Sequence, residues 1–118
     1  MFGIYWHLPP DGKRLASASL DATAKVWDAV GGQELLSLGH GGNAAVLSVA
    51  YSPDGRRLAS ADGRGRLMIW DTSNGQTTLS IRLPMGLARF LAFSPDGHRL
   101  ACGDSYGRAR VLDARPVQ

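Results

Sequence analysis

The sequence predicts an all-β fold that repeats a small antiparallel sheet of four strands. Three observations support this prediction. Glycine makes up 15 of the 118 residues, against a usual share of about 7%, which indicates frequent turns. The tripeptide Pro-Asp-Gly recurs at a nearly fixed period, at residues 10–12, 53–55 and 95–97. A second motif follows it at the same spacing in each copy, as Trp27-Asp28, Trp70-Asp71 and Leu112-Asp113. A fixed period of about 43 residues is typical of a repeat array.

The second repeat shows the expected strands most clearly. Alternation over Val46–Tyr51 places Ser48 and Ala50 on one face of a strand and Val49 and Tyr51 on the other. Pro-Asp-Gly then forms a turn, because proline presets φ, aspartate bonds nearby backbone and glycine accepts positive φ. Further strands are expected at 58–61, at 67–70 and, after the hairpin signal Asn-Gly, at 76–83.

The three repeats divide the chain unevenly. They cover approximately residues 1–43, 44–85 and 86–118 of a single domain, with first strands expected near 3–8, 46–51 and 88–93. Gln118 corresponds to Gln76, where the fourth strand of the second repeat is expected to begin. The chain therefore predicts about eleven strands, as two complete sheets and a third that lacks its outer strand.

These motifs, together with Gly39-His40 ahead of the second repeat, closely resemble the WD-repeat β-propeller family. The resemblance implies that each repeat forms one four-stranded blade and that the blades are set radially around a central channel. It also implies a rigid platform that binds other proteins, and not an enzyme.

Blades of this family often bury a hydrogen-bonded set of Asp, His, Ser and Trp, since a buried indole and a buried imidazole both need partners. The resemblance assigns this structural role to Ser17, Asp21 and Trp27 in the first repeat and to His40, Ser60 and Trp70 in the second. Arg64 stands at the Asp position of the second repeat, and the third has Cys102, Tyr106 and Leu112 in the corresponding places. We therefore expect that no repeat holds the complete set.

The sequence shows no motif that predicts a catalytic, cofactor-binding or metal-binding residue. Ser105 lies in a G-x-S-x-G pattern, but no histidine follows it, and the register places it in a turn between strands. His7, His40 and His98 lack metal-ligand spacing. The only cysteine, Cys102, is expected to be a small buried residue. With no signal segment and no apolar run of membrane length, a cytoplasmic protein is expected.

One rim of the propeller is the expected partner-binding surface. The resemblance assigns to it Asn43, Asp62, Arg64, Arg66, Arg82, Arg89, Asp104, Tyr106 and Arg108. Five of these nine residues are arginine, which suits a carboxylate or phosphate group on a protein or peptide partner. The alternative is a solvated surface of mixed charge. RNA binding through 63–66 has weaker support, because a net charge of +3 is mild for a nucleic-acid binder.

Fewer than three full blades leave the predicted ring open, since propellers close with four to eight. The sequence favours a fragment of a longer propeller. The alternative is a homodimer in which two copies pack head to tail and close a six-bladed ring. A truncated fragment without independent function is the remaining interpretation.

Overall fold

The computed structural model describes residues 12–84 and 89–115, together with the backbone of 5–7. Within these ranges every regular element is a β-strand, and there are eleven of them. No helix of the described residues is long and apolar enough to cross a membrane. The predicted all-β fold and the predicted strand number are therefore confirmed for this part of the chain.

The strands form three antiparallel sheets, which we call blades 1, 2 and 3. Blade 1 contains β1 (Tyr5–His7), β2 (Arg14–Ala18), β3 (Thr23–Asp28) and β4 (Glu34–Gly39), hydrogen-bonded in that order. Blade 2 contains β5 (Val46–Tyr51), β6 (Arg57–Asp62), β7 (Arg66–Asp71) and β8 (Thr77–Arg82). Blade 3 contains β9 (Phe90–Phe93), β10 (Arg99–Gly103) and β11 (Ala109–Asp113). The third sheet has three strands, as the repeat register predicts.

The turns follow the glycine pattern of the sequence. Gly12, Gly55 and Gly97 all have positive φ, at 67°, 73° and 75°. In the second copy, Asp54 Oδ1 accepts hydrogen bonds from the Ser52 hydroxyl at 2.6 Å and from the Arg56 amide at 3.0 Å. The Pro-Asp-Gly turn is thus fixed by the carboxylate and by a glycine conformation that other residues rarely adopt.

Neighbouring blades pack face to face through two apolar layers. In the first layer, Val49 and Tyr51 of β5 pack on blade 1, while Ala50 of the same strand lies in the second layer against blade 3. This confirms the predicted alternation of faces. Cys102 belongs to the second layer and is buried, as expected, and burial raises the pKa of its thiol.

Candidate functional site

A chain of hydrogen bonds crosses the interior of blade 2. The Trp70 indole Nε1–H donates to Ser60 Oγ at 2.8 Å, and the Ser60 hydroxyl lies 2.7 Å from His40 Nε2. His40 Nδ1 lies 2.9 Å from Asp62 Oδ2. Because indole can only donate, each group is satisfied when Ser60 donates to Nε2 and His40 donates from Nδ1 to the carboxylate. All four side chains are buried.

Blade 2 therefore holds a complete Asp, His, Ser and Trp set, and the expectation that no repeat does so is wrong. Arg64 does occupy the position equivalent to Asp21, but Asp62, two residues earlier, supplies the carboxylate. The turn after β6 explains the shift. Asp62 Oδ1 accepts the amides of Arg64 at 2.9 Å and Arg66 at 3.1 Å, which fixes the carboxylate while Oδ2 reaches His40. The sequence signal that could have predicted this network is an aspartate close to the expected position, even though it is not at that position.

The charge states of this network follow from its burial. Desolvation lowers the pKa of His40, and this outweighs the opposing effect of the Asp62 carboxylate. The imidazole is therefore neutral at neutral pH. Burial acts to raise the pKa of Asp62, but the hydrogen bonds from His40 and from the amides of Arg66 and Arg64 hold that pKa below its usual value.

Blade 1 has only part of the set. Trp27 Nε1–H donates to Ser17 Oγ at 2.9 Å, which matches the pair in blade 2. Asp21 instead lies in an exposed turn, where its carboxylate accepts from the amide and hydroxyl of Thr23 at 3.1 and 2.5 Å. Asp21 thus organises a surface turn and takes no part in a buried network.

Blade 3 has the least of the set. Leu112 stands opposite Leu100 on the neighbouring strand, in the register that pairs Trp70 with Leu58 in blade 2. Asp104 repeats the turn role of Asp62, since its Oδ1 accepts the amides of Tyr106 at 2.8 Å and Arg108 at 3.0 Å. Its Oδ2 pairs with the exposed Arg108 guanidinium at 2.5 Å.

The predicted rim residues differ in burial and separate into three groups. Asp62 and Asp104 are buried and their carboxylates are engaged internally, so they support the loops from beneath. Arg66 is partly buried. The others are exposed, namely Asn43, Arg64, Arg82, Arg89, Tyr106 and Arg108.

Three of the five rim arginines line one pocket on blade 2, which we call the rim pocket. Arg66 and Arg82 lie directly opposite each other on β7 and β8, and Arg64 lies in the turn that leads into β7. The Arg66 guanidinium donates to the His40 carbonyl at 3.3 Å and that of Arg82 to the Arg64 carbonyl at 3.2 Å. The pocket has a volume of about 170 Å³. Arg89 and Arg108 do not line it.

No carboxylate in the described part of the chain forms an ion pair with these three arginines. Asp62 also lines the pocket, but its two oxygens are taken by His40 and by the turn amides. The rim pocket is therefore a small concave site with three cationic groups and unused guanidinium donors. The sequence identifies these arginines as rim residues, but their convergence depends on the register in which β7 pairs with β8.

Ser105 lies where the repeat register predicts, in an exposed turn. The turn joins β10 to β11, so the segment after it is a strand, whereas a nucleophile elbow is followed by a helix. His98 is exposed, and His40 is held in the blade 2 network. Among the described residues, no three His, Cys, Asp or Glu side chains are grouped as ligands of a metal ion would be.

Four-stranded antiparallel sheets packed face to face, one of them with a buried Asp, His, Ser and Trp set, define a repeat protein built from β-propeller blades. The model of the family described as WD domain, G-beta repeat matches residues 4–28 and 32–71, more than half of the chain. The chain belongs to this WD40 family, which confirms the predicted resemblance. The matched ranges cover blade 1 and the strands β5, β6 and β7 of blade 2, whereas β8 and blade 3 lie outside them. A search of curated proteins finds no match. WD40 repeats generally mediate protein interactions, and proteins that contain them are typically non-enzymatic scaffolds.

Proposed function

We propose that the chain is a protein-interaction scaffold that binds an acidic segment of a partner protein at the rim pocket. The observation that carries this proposal is the convergence of Arg64, Arg66 and Arg82 without an ion-paired carboxylate. Like charges directly opposite each other on neighbouring strands are destabilising, as for Arg66 and Arg82. A bound anion relieves that repulsion, and the planar fork of arginine suits a carboxylate in particular.

The floor of the rim pocket is held in place by the buried network. The His40 carbonyl accepts from Arg66, and the His40 side chain is fixed between Ser60 and Asp62. The turn that carries Arg64 is fixed by the other oxygen of Asp62. A site whose parts are held before binding loses less conformational entropy when a ligand arrives. This rigidity supports recognition of a short peptide segment.

The proposal treats the three blades as an arc of a larger propeller, with the rim pocket on its loop-lined edge. It assigns no catalytic step, cofactor or metal to the chain. A phosphate group fits the same arginines through the same paired hydrogen bonds, so a phosphorylated ligand or a nucleic acid is the second candidate. Binding measurements with matched probes distinguish these candidates from one another and from a fragment that binds none of them.

Binding is measured by fluorescence anisotropy with four labelled probes at equal length. These are a Glu-rich peptide, its Gln counterpart, its phosphoserine counterpart and a single-stranded oligonucleotide. The test variant combines Arg64→Ala, Arg66→Ala and Arg82→Ala. The matched control removes three exposed arginines from elsewhere, by Arg56→Ala, Arg110→Ala and Arg115→Ala, so both variants lose the same charge.

We expect the Glu-rich peptide to bind the wild type and the control but not the test variant, with about a tenfold loss for each arginine removed, or about 1.4 kcal/mol. The Gln peptide is expected to bind none of the three proteins. Equal losses in the two variants would refute a specific site and leave general charge attraction. Tightest binding to the phosphoserine peptide would favour a phosphorylated ligand instead, and tightest binding to the oligonucleotide, with a steep fall as salt rises, would favour a nucleic acid. Binding to none of the probes would contradict the proposed scaffold role at this pocket.

A further inference from the structure

One face of blade 3 is uncovered, and its counterparts in the other blades are buried. The third strands of the three blades, β3, β7 and β11, place Val26, Ile69 and Val111 at equivalent positions on the side of each blade that faces the next blade along the chain. Val26 and Ile69 are each 1% exposed, whereas Val111 is 63% exposed. Phe90 is likewise exposed, where its equivalent Ser48 is fully buried. We call the side of a blade that faces the next one its downstream face, and the opposite side its upstream face.

The two junctions inside the chain show what such a face binds. Arg57, at the start of β6, reaches from blade 2 to blade 3, where it donates to the Gly97 carbonyl at 2.6 Å and to the Ala114 carbonyl. Its guanidinium also lies 5.4 Å from the ring centre of Phe93. The arginine of one blade thus holds the Pro-Asp-Gly turn of the next.

The junction of blades 1 and 2 repeats this contact. Arg14 donates to the Gly55 carbonyl at 3.4 Å and lies 5.9 Å from the ring centre of Tyr51. Gly55 corresponds to Gly97 in the repeat register. We call this contact the arginine bridge. Its recurrence shows that a downstream face is built to receive a WD40 blade with a Pro-Asp-Gly turn.

Arg99 is the third arginine of the series, at the start of β10. It is exposed, and no described residue accepts a hydrogen bond from its guanidinium. Together with Val111 it lines an open pocket of about 250 Å³. Blade 3 therefore carries both the apolar face and the arginine that a further blade would need.

Blade 1 carries the matching acceptors. Its Gly12 has φ of 67°, close to the 75° of Gly97. The amide of Ala29 donates to the Lys13 carbonyl at 2.9 Å, as the amide of Ala114 donates to the His98 carbonyl at 2.8 Å. The carbonyls of Gly12 and Ala29 thus belong to the same local backbone arrangement as the pair that Arg57 holds in blade 3.

The upstream face of blade 1 is also less covered than its equivalent. Leu15 and Trp27 are only partly buried, whereas Leu58 and Trp70 at the same positions of blade 2 are buried. Leu8, which corresponds to Tyr51, lies outside the described residues. The chain thus has one face that offers an arginine bridge and one face that can accept it.

We propose that the downstream face of blade 3 binds the upstream face of blade 1 in a second copy of this chain, with Arg99 bridging to the carbonyls of Gly12 and Ala29. A two-fold axis along the channel makes both such contacts at once, so the two copies close a ring. The ring has six blades, within the range of four to eight for propellers. The sequence alone favours a longer chain as the source of the missing blades. We favour a second copy because blade 1 carries the carbonyl acceptors that match Arg99. The proposal does not depend on the rim pocket.

The test is the molar mass of the 12.6 kDa chain, measured by light scattering over a range of concentrations. We expect the wild type to have twice this mass and both Arg99→Glu and Val111→Glu to weaken the association by about a hundredfold or more. Arg110→Glu is the matched control, because Arg110 alternates with Val111 on β11 and points to the opposite face. Circular dichroism confirms that each variant keeps its strands.

Cross-linking tests which faces meet. The two lysines of the chain, Lys13 and Lys25, are both in blade 1, while Asp96 and Asp113 lie beside Arg99 in blade 3. In a mixture of ¹⁴N and ¹⁵N copies, a carbodiimide should join these lysines to these aspartates between copies. A wild type that stays monomeric would overturn the proposal and favour a covalently linked blade. A dimer that survives both face substitutions, or that cross-links only within one copy, would overturn it as well.

Discussion

Asp62 and Asp104 provide a matched pair of substitutions for measuring the buried network of blade 2. Each carboxylate accepts two backbone amides through Oδ1 and fixes the same turn of its blade. They differ at Oδ2, which binds buried His40 in one case and the Arg108 guanidinium in the other. The Arg108 side chain is 61% exposed, so its ion pair adds little stability. The difference between Asp62→Ala and Asp104→Ala therefore isolates the contact with His40.

The expected difference is about 2 kcal/mol in the free energy of unfolding. Both variants lose the turn bonds, but Asp62→Ala also leaves the His40 Nδ1–H buried without its acceptor, which costs roughly 1–3 kcal/mol. Urea titrations followed by tryptophan fluorescence measure both values. They are made at one protein concentration, since self-association changes apparent stability. Equal losses for the two variants, or a larger loss for Asp104→Ala, would refute the role that we assign to the network.

Three further predictions concern stability. Because burial lowers the pKa of His40, the unfolded chain binds a proton at this residue more readily than the folded chain does. The free energy of unfolding should therefore fall as pH drops below about 6.5, by at most about 1.4 kcal/mol per pH unit. In urea titrations, a His40→Asn variant should show a smaller dependence of this free energy on pH over the same range. Gly65→Ala should lower the free energy of unfolding by about 2–4 kcal/mol in the same titrations, because φ of Gly65 is 88° and an added Cβ would lie 2.4 Å from the Leu83 carbonyl oxygen. Gly63→Ala is the control and should cost about 1 kcal/mol or less, since no atom would lie closer than 3.8 Å to its Cβ. Arg57→Ala removes the arginine bridge to blade 3, which should lower the free energy of unfolding by roughly 1–3 kcal/mol and the melting temperature by several degrees. An unchanged melting temperature would contradict that contact.

The repeat period made most of the fold predictable. Alternation within Val46–Tyr51 placed Val49 and Ala50 on opposite faces of one strand, and the structure puts them in different apolar layers. Strand ends were less accurate, since β8 spans Thr77–Arg82 where 76–83 was predicted. Periodicity reports which residues face inward, while the end of a strand depends on individual turn hydrogen bonds.

The candidate site was only partly predictable. The family pattern assigns the carboxylate to the position of Arg64. What the buried network needs is a carboxylate oxygen within hydrogen-bond distance of His40, and Asp62, two residues earlier, provides it. The rim pocket was hidden for a related reason. Arg64 and Arg82 are 18 positions apart, and they meet because β7 and β8 pair in a register that a sequence does not display.

The arginine bridge also bears on how far one blade can drift in sequence. Its hydrogen-bond acceptors in blade 3 are main-chain carbonyls, which every residue possesses, so the specific side chains of the contact are the arginine on the earlier blade and the aromatic ring beside it. A blade can therefore exchange many of its side chains and remain attached to its neighbour, provided that its Pro-Asp-Gly turn keeps its shape and its face towards the earlier blade stays apolar. Blade 3, with Leu112 at the tryptophan position and outside the matched ranges, is an example. Each earlier blade thus supplies, in its own sequence, the arginine that holds the turn of the blade after it.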